Sequence, residues 1–265
     1  MYNFEYEKAK SVDAASARLG QVADSKLLAG GMTLLPTIKL RLAKPSALID
    51  LGTIGDLKGI SVSGDTVTIK AMTRHADVTR SAEVAKAIPA LAALAGGIGD
   101  VQVRHRGTMG GSVANNDPAA DYPAGCLGLG ATVVTNKREL IADDFFQGLF
   151  TTALEPDEII TEIRFPVPEK AAYIKFKNPA SRYAIVGAFV SKGPNGVRVA
   201  ITGAGDNGVF RVKAMEDALS KSFDAKAIEG IKVPADTMLS DIHASAEYRA
   251  HLVTVMAKRA VTACG

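Results

Sequence analysis

Two short segments combine paired glycines with small polar residues in a way that a hydrophobic core does not require. The first covers residues 28–36, with the sequence LAGGMTLLP, and the second covers 106–118, with the sequence RGTMGGSVANNDP. Glycine permits positive φ angles and a close approach of the backbone to a ligand, and the N–H groups at the start of a helix favour an anion. Each segment is therefore a candidate cradle for phosphate oxygens, although either could also be a simple tight turn.

Neither segment matches a known nucleotide-binding fingerprint. The chain contains no glycine–lysine–hydroxyl P-loop, and it has no well-placed G-x-G-x-x-G followed by an acidic residue. The two segments suggest a dinucleotide without identifying it. If they hold phosphate, valine at Gly31 or Gly110 should exclude the ligand with the fold mostly retained, whereas Gly30 and Gly111 should tolerate alanine better.

The remaining residue types offer little other chemistry. Two isolated cysteines, Cys126 and Cys264, support neither a disulfide framework nor a zinc site, and they cannot hold an iron–sulfur cluster by themselves. No histidine has a partner at metal-ligand spacing, and His75 and His105 are predicted to lie in loops. No Ser-His-Asp arrangement can be proposed from the spacing, so we assign no catalytic residue.

The composition is that of a soluble globular protein. Apolar residues make up 47% of the chain and charged residues 22%. A chain of 265 residues is long enough to bury a core without disulfides. The net charge of +3 is small, and the longest basic cluster, 104–106, lacks interleaved aromatic residues, so nucleic-acid binding is not expected. The N-terminus does not resemble a signal peptide, and no apolar run is long enough to span a bilayer. A cytoplasmic protein is therefore expected.

The elements that would position the glycine segments follow from the hydrophobic patterns. The pattern predicts a strand at 26–29 before the first segment and a helix at 34–42 after it. Alternation around Gly64 and Asp65 predicts a hairpin of strands 60–63 and 66–69. Elsewhere the pattern predicts a helix at 12–20 and strands at 47–51, 131–134 and 158–165. It also predicts a single helix at 82–95, which contains Pro89.

The pattern changes after Pro168. Strands are predicted at 173–176, 184–191 and 197–202, and helices at 211–221 and 246–263. Strands followed by helices indicate a second α+β unit. We therefore place a domain boundary near residue 170, which gives domains at 1–170 and 171–265.

Together, the two glycine segments resemble those of the FAD subunits in the xanthine dehydrogenase and carbon monoxide dehydrogenase family. The resemblance rests mainly on AGGMTLLP at 29–36 and RGTMGGSVANNDPAADYPA at 106–124. Weaker matches follow in the same order: DEIITEIRFP at 157–166, KFKNPASRYAIVGA at 175–188, ITGAGDNGVFR at 201–211 and ASAEYRAHLVTVMAKRAV at 244–261. They cover nearly the whole chain.

This resemblance implies both a fold and a role. The fold would be α+β: a vanillyl-alcohol-oxidase-like (PCMH-type) FAD-binding domain of two α/β lobes, followed by a smaller α+β domain. The chain would be the flavoprotein subunit of a molybdenum hydroxylase, relaying electrons from partner iron–sulfur clusters through FAD to an external acceptor. Its partners would be a small iron–sulfur subunit and a large subunit with the molybdopterin cofactor, in a dimer of heterotrimers. Two alternatives are a stand-alone FAD-dependent oxidoreductase of the same fold and a noncatalytic nucleotide-binding protein.

The resemblance also assigns residues to the cofactor. The pyrophosphate would lie among Leu28, Ala29, Gly30, Gly31, Met32, Thr33 and Leu34 of the first segment and Thr108, Met109, Gly110, Gly111 and Ser112 of the second. Asp121 would lie near the ribityl chain or the flavin, Ile160 and Lys177 would line the cofactor, Tyr183 would stack on the isoalloxazine, and Ile98 would lie near the adenine.

Two further expectations come from this assignment. Met32 stands where the family more often has histidine or glutamine, so the first segment has no nucleophile for covalent attachment and the FAD should be noncovalent. Asp121→Ala should weaken FAD binding or shift its potential without unfolding the chain, because a charge-assisted hydrogen bond would be lost.

Overall fold

The computed structural model describes all of residues 1–265 and contains fourteen strands and eleven helices. Up to Pro168 the elements are, in chain order, β1 (Glu5–Lys8), α1 (Val12–Gln21), β2 (Lys26–Leu28), α2 (Leu34–Lys39), β3 (Ala47–Asp50), β4 (Ile60–Ser63), β5 (Thr66–Lys70), α3 (His75–Arg80), α4 (Ala82–Ala87), α5 (Pro89–Gly96), α6 (Val101–Arg106), α7 (Met109–Asn115), α8 (Asp121–Leu129), β6 (Thr132–Thr135), β7 (Glu139–Ile141), α9 (Ala142–Phe145), β8 (Phe146–Gly148), β9 (Thr151–Thr152) and β10 (Ile160–Pro166). After it come β11 (Lys170–Lys177), β12 (Ala184–Gly193), β13 (Gly196–Thr202), β14 (Phe210–Arg211), α10 (Lys213–Lys221) and α11 (Ala246–Ala263).

A small parallel sheet carries the first glycine segment. Its strand order is β1-β3-β2, and the central strand β3 has Ala47, Leu48 and Ile49 buried. Helix α1 begins at Val12 because the Ser11 hydroxyl accepts a hydrogen bond from the Ala14 N–H. The first glycine segment leaves the carboxyl end of β2, the edge at which ligands bind in open parallel sheets.

A five-stranded antiparallel sheet forms the centre of the N-terminal part, with the order β4-β5-β10-β6-β7. The predicted β4–β5 hairpin is confirmed, and Gly64 in its turn has a φ of +54°. Helices α5, α7 and α8 contribute to a core of 27 buried residues that includes the inward side chains of β5, β6 and β10.

Four predictions of local structure are wrong in detail. The helix at 82–95 is two helices, α4 and α5, because Pro89 removes an N–H and disfavours helical angles at Ile88, which has φ −137°. The helix after the first segment ends at Lys39, and Arg41 follows with a φ of +61°. The predicted helix at 211–221 starts at Lys213, since Arg211 is paired in β14. His75 and His105, predicted to lie in loops, belong to helices α3 and α6.

The C-terminal part is a four-stranded antiparallel sheet, β11-β12-β13-β14, packed between helices. Val190 and Val199, paired across β12 and β13, belong to the core that α10 and α11 form on one face. Phe189 and Ala200, one residue along, point to the other face and pack in the N-terminal core with α8. The predicted strands and the helix at 246–263 are confirmed, and so is the α+β class.

Helix α8 joins the two parts of the chain. All nine of its residues are buried, and a side chain at Gly128 would come within 2.5 Å of the Phe189 ring. The Ser191 hydroxyl donates to the Gly128 carbonyl, and the Arg198 Nε donates to the Leu127 carbonyl, each at 2.5 Å. Helix α8 is therefore packed tightly against the C-terminal sheet. None of the helices is both long and apolar enough to cross a membrane.

Candidate functional site

An open cleft of about 730 Å³ brings both glycine segments together. This volume lies within the range of small-molecule and cofactor sites. Most of the residues assigned from the sequence line it: Ala29, Gly30, Gly31, Met32, Thr33, Leu34, Ile98, Thr108, Gly110, Gly111, Ser112, Asp121, Ile160 and Tyr183. Three do not: Leu28 packs behind the first segment, Met109 is fully buried in the core, and Lys177 is exposed at the end of β11.

The first glycine segment presents an unusual set of free donors. None of the N–H groups of residues 29–34 donates to an acceptor in the protein, whereas the Leu35 N–H pairs with the Gly31 carbonyl at 3.0 Å. Gly31 has a φ of +71°, and Thr33 makes no side-chain bond to cap α2. All six residues line the cleft, and six consecutive unpaired N–H groups are donors suited to an anion.

The second segment differs from what its sequence suggests. The first two N–H groups of α7 already donate to carbonyl oxygens next to β5, Met109 to Thr73 at 2.9 Å and Gly110 to Ala71 at 2.8 Å. The Gly111 N–H reaches the Thr108 hydroxyl at 3.3 Å. The N–H groups of residues 109–112 are therefore not available as a cradle, whereas the Thr108 N–H and the Ser112 hydroxyl have no partner in the protein.

The glycines themselves serve different purposes. A Cβ on Gly30 would lie 2.2 Å from the Arg106 carbonyl oxygen, and one on Gly110 would lie 2.9 Å from the Ala71 Cα. Both glycines are required where two backbones touch. The expectation that Gly30 tolerates alanine is therefore wrong, and valine at Gly110 would disturb the fold itself. At Gly111 an added Cβ would meet the Thr108 hydroxyl at 2.8 Å.

Asp121 lines the cleft as part of a buried polar cluster. Its carboxylate accepts a hydrogen bond from the Tyr173 hydroxyl and lies 3.0 Å from the Lys175 ammonium, which also donates to the Gly97 carbonyl at 2.9 Å. Burial raises the pKa of the Asp121 carboxyl, and the positive charge of Lys175 and the Tyr173 hydrogen bond oppose that shift. Asp121 therefore links α8 to β11 as well as facing the cleft.

His75 also lines the cleft, although the sequence predicted it to lie in a loop. It is the first residue of α3 and is buried, with its ring 5.3 Å from that of Tyr122. Its Nδ1 atom has no partner in the protein. Burial, together with a smaller effect from the nearby charge of Arg104, lowers the pKa of His75 to about 4, so the imidazole is neutral at pH 7.

Asp117 and Tyr183 both line the cleft. The Gly203 N–H donates to the carbonyl of Pro118, next to Asp117, at 2.7 Å, and a Cβ on Gly203 would lie 2.5 Å from the carbonyl of Ala184, next to Tyr183, so the two residues lie close together. Burial raises the pKa of the Asp117 carboxyl and of the Tyr183 phenol, and the negative charges of Asp117 and Asp121 raise the pKa of Tyr183 further. The sequence assignment missed Asp117, His75 and Phe150, which all line the cleft. Asp117 lies within the quoted motif at 106–124, but no local signal distinguishes His75 or Phe150.

Comparison with known proteins shows which family has this sequence and site. Residues 2–168 match the family model described as the FAD binding domain in molybdopterin dehydrogenase. The chain is 37% identical to the carbon monoxide dehydrogenase medium chain of Hydrogenophaga pseudoflava, over 98% of this chain and 96% of that one. This chain is an FAD-binding subunit of the molybdenum hydroxylase family. It is also 36% identical to the nicotine 6-hydroxylase medium subunit of Paenarthrobacter nicotinovorans, over 98% and 96% of the two chains.

Solved structures agree with the family assignment. The reconstituted CO dehydrogenase from Oligotropha carboxidovorans superposes on this flavoprotein subunit with a TM-score of 0.91 at 35% identity, covering 99% of this chain and 98% of that one. The resemblance that the sequence suggested is thereby confirmed. The subunit is part of an oxidoreductase in which it relays electrons through FAD. The free donors of residues 29–34 and the volume of the cleft fit such a cofactor.

The buried Asp121 cluster leads to a stability prediction. Asp121→Ala leaves the Lys175 ammonium buried without its counter-charge, so we expect the free energy of unfolding to fall by about 3–5 kcal/mol. Pairing it with Lys175→Met should recover most of that loss. Urea unfolding of both variants measures the effect. A single variant as stable as the wild type would show that this ion pair does not hold α8 to β11. The earlier expectation that Asp121→Ala leaves the fold intact is revised accordingly.

Protonation of His75 is expected to destabilise the fold in mild acid. The pKa is about 4 in the folded chain against the ordinary 6.5, so the unfolded state binds the proton first as the pH falls. Stability is therefore lost as the pH falls from about 6.5 towards about 4. Between pH 7.5 and pH 5 this removes about 2 kcal/mol from the free energy of unfolding.

Urea unfolding at the two pH values checks this expectation. His75→Gln should lose less stability on acidification, whereas His251→Gln, which alters an exposed histidine, should behave like the wild type. If His75→Gln kept the full pH dependence, another group would be responsible.

Proposed function

We propose that the cleft holds FAD with its pyrophosphate against the first glycine segment. One observation carries this proposal: residues 29–34 provide six consecutive N–H groups that no protein acceptor uses. Such donors suit the pyrophosphate because each N–H that pairs with a phosphate oxygen removes an unsatisfied group from the protein. The Ser112 hydroxyl, from the second segment, is a further donor facing the same cleft.

The rest of the cleft supports an orientation for the cofactor. Ile98 and Val103 offer apolar surface for the adenine, and Ile160 lines the wall. Tyr183, half-exposed near Asp117, is the aromatic side chain on which the isoalloxazine would stack. Leu28 and Met109 would support the two segments from behind, and Lys177 would reach the cofactor only from the rim.

The bound flavin supplies the capacity to take up and release electrons one or two at a time. This chain's residues bind and orient it. We expect noncovalent attachment, because neither cysteine lines the cleft and the first segment contains no cysteine or histidine. Asp121 remains paired with Lys175 and Tyr173, which fixes the polar wall of the cleft near Tyr183.

The proposal extends to assembly and architecture. Relatives named medium chain or medium subunit support a small and a large subunit as partners. We propose that the small one carries the iron–sulfur clusters and the large one the molybdenum cofactor, and that the complex is a dimer of heterotrimers in the cytoplasm. The parallel and the antiparallel N-terminal sheets would be the two lobes of a PCMH-type domain. A domain division into 1–170 and 171–265 is supported by the C-terminal sheet, which begins at Lys170.

A matched pair of glycine variants tests the cofactor site. Gly31 and Gly196 both have positive φ, +71° and +75°, so alanine costs each about 1–2 kcal/mol of backbone strain. Gly31→Ala should shift the free N–H groups and weaken FAD binding by about tenfold or more. Gly196→Ala, in a remote hairpin turn with open space around it, should bind FAD normally.

FAD titration of the apoprotein measures both affinities, and acid precipitation should release the flavin of the wild type into solution as FAD. Normal affinity in Gly31→Ala would move the pyrophosphate elsewhere, and flavin retained in the pellet would mean covalent attachment.

A second experiment tests the relay. The isolated chain should not oxidise purines, N-heterocycles, aldehydes or carbon monoxide, because its two cysteines are too few to ligate an iron–sulfur cluster. Coexpression with its small and large partner subunits should produce a complex that contains iron, sulfide, molybdenum and FAD, and substrate oxidation should appear only there. Comparable oxidation by the chain alone would favour the stand-alone FAD oxidoreductase, and a well-folded chain without flavin would favour a noncatalytic nucleotide-binding protein.

A further inference from the structure

The rim of the cleft carries an exposed aromatic residue with an uncommon backbone conformation. Phe150 lies at the tip of the β8–β9 hairpin, is 61% exposed and lines the cleft. Its φ is +53°. Bulky residues rarely adopt positive φ, so the surrounding structure must hold the backbone in place.

Asn116 is the residue that holds it. This side chain is only 1% exposed, and its amide Nδ2 donates to the carbonyl oxygens of Gly148 and Thr151, at 2.8 Å each. Its own carbonyl accepts from the Phe150 N–H at 3.1 Å. Three hydrogen bonds from one buried residue therefore fix the chain on both sides of Phe150. Asn116 also ends α7 in the left-handed conformation, φ +43°, which asparagine tolerates better than most residues.

The position of Asn116 connects this hairpin to Asp117, the next residue in the chain, which lines the cleft. Tyr183 is near Asp117, because Gly203 contacts the residue that follows each of them, Ala184 and Pro118. Apart from His75, Phe150 and Tyr183 are the aromatic side chains that line the cleft. Both are thus linked to Asp117 by backbone contacts.

We propose that Phe150 covers the flavin end of the cleft against small solutes, and that Asn116 is the positioning residue that keeps it there. This inference rests on the proposed FAD site, with the isoalloxazine near Tyr183. A phenylalanine on a loosely held hairpin would leave the cleft open for much of the time. The Asn116 hydrogen bonds restrict that motion, so the aromatic ring stays at the rim although most of its surface is exposed.

The test measures how easily a solute reaches the bound flavin. The full chain is loaded with FAD, and the quenching of flavin fluorescence by iodide is compared among variants. Phe150→Ala should raise the quenching constant several-fold because the cover is removed. Asn116→Gly should raise it similarly, since glycine keeps the left-handed backbone but loses both side-chain hydrogen bonds. Leu149→Ala is the matched control, because this neighbour is also exposed but does not line the cleft.

Each outcome has a distinct meaning. Wild-type quenching in FAD-loaded Phe150→Ala would overturn the cover. Increased quenching in Phe150→Ala but not in Asn116→Gly would overturn the role of Asn116 and leave the cover standing. A well-folded wild-type chain that takes up no FAD would instead defeat the proposed function, and absorbance before quenching reveals this. Phe150→Ala changes an exposed side chain, so the cover stays testable even where Asn116→Gly folds poorly.

Discussion

The backbone contact between the two glycine segments is the constraint on which the cleft depends. Gly30 lies so close to the Arg106 carbonyl that any side chain there would overlap it. This contact ties the end of the parallel sheet to the start of α7, which in turn is bonded to the strand end at Ala71. The same first segment carries the N–H groups of residues 29–34, which are unpaired in the protein. The close packing at Gly30 thus fixes the position of these donors beside the second segment.

The C-terminal sheet holds polar groups of the cleft in position. Asp121 begins α8 and pairs with Lys175 of β11, so the cleft wall and the C-terminal sheet share one buried charge cluster. Tyr183 arrives from the turn between β11 and β12. A displacement of this sheet would therefore alter the groups around the isoalloxazine, which couples any surface used by a partner subunit to the environment of the cofactor.

Much of the fold could be predicted because local patterns agree with tertiary packing. The β4–β5 hairpin and the helix at 246–263 have strong turn and amphipathic signals, and both form as expected. Predictions were wrong where a single residue sets the end of a helix or where a contact distant in sequence buries a side chain. Pro89 divides a helix that composition alone favours. His75 is buried because α3 packs against Gly107, a contact far along the chain that no local window reveals.

The same limit applies to the site. Family motifs located the residues of the first segment, but only the hydrogen bonds distinguish its free N–H groups from the paired ones at 109–111. The sequence grouped Gly31 with Gly110 and Gly30 with Gly111, whereas in the structure Gly30 and Gly110 face backbone atoms and Gly31 and Gly111 face side chains. Phe150 could not be identified because its importance comes from Asn116, which is distant in sequence and carries no signal of its own.

Helix α8 has a consequence for how this chain can be divided. It belongs by sequence to the first 170 residues, yet one side of it is covered by Phe189 and Ala200 of the C-terminal sheet. A fragment that stopped after β10 would leave that apolar side in water, together with the Asp121 carboxylate stripped of Lys175. We therefore expect each half to depend on the other for part of its stability, although the C-terminal sheet begins at Lys170. The cofactor-binding half alone would be a poor unit for recombination.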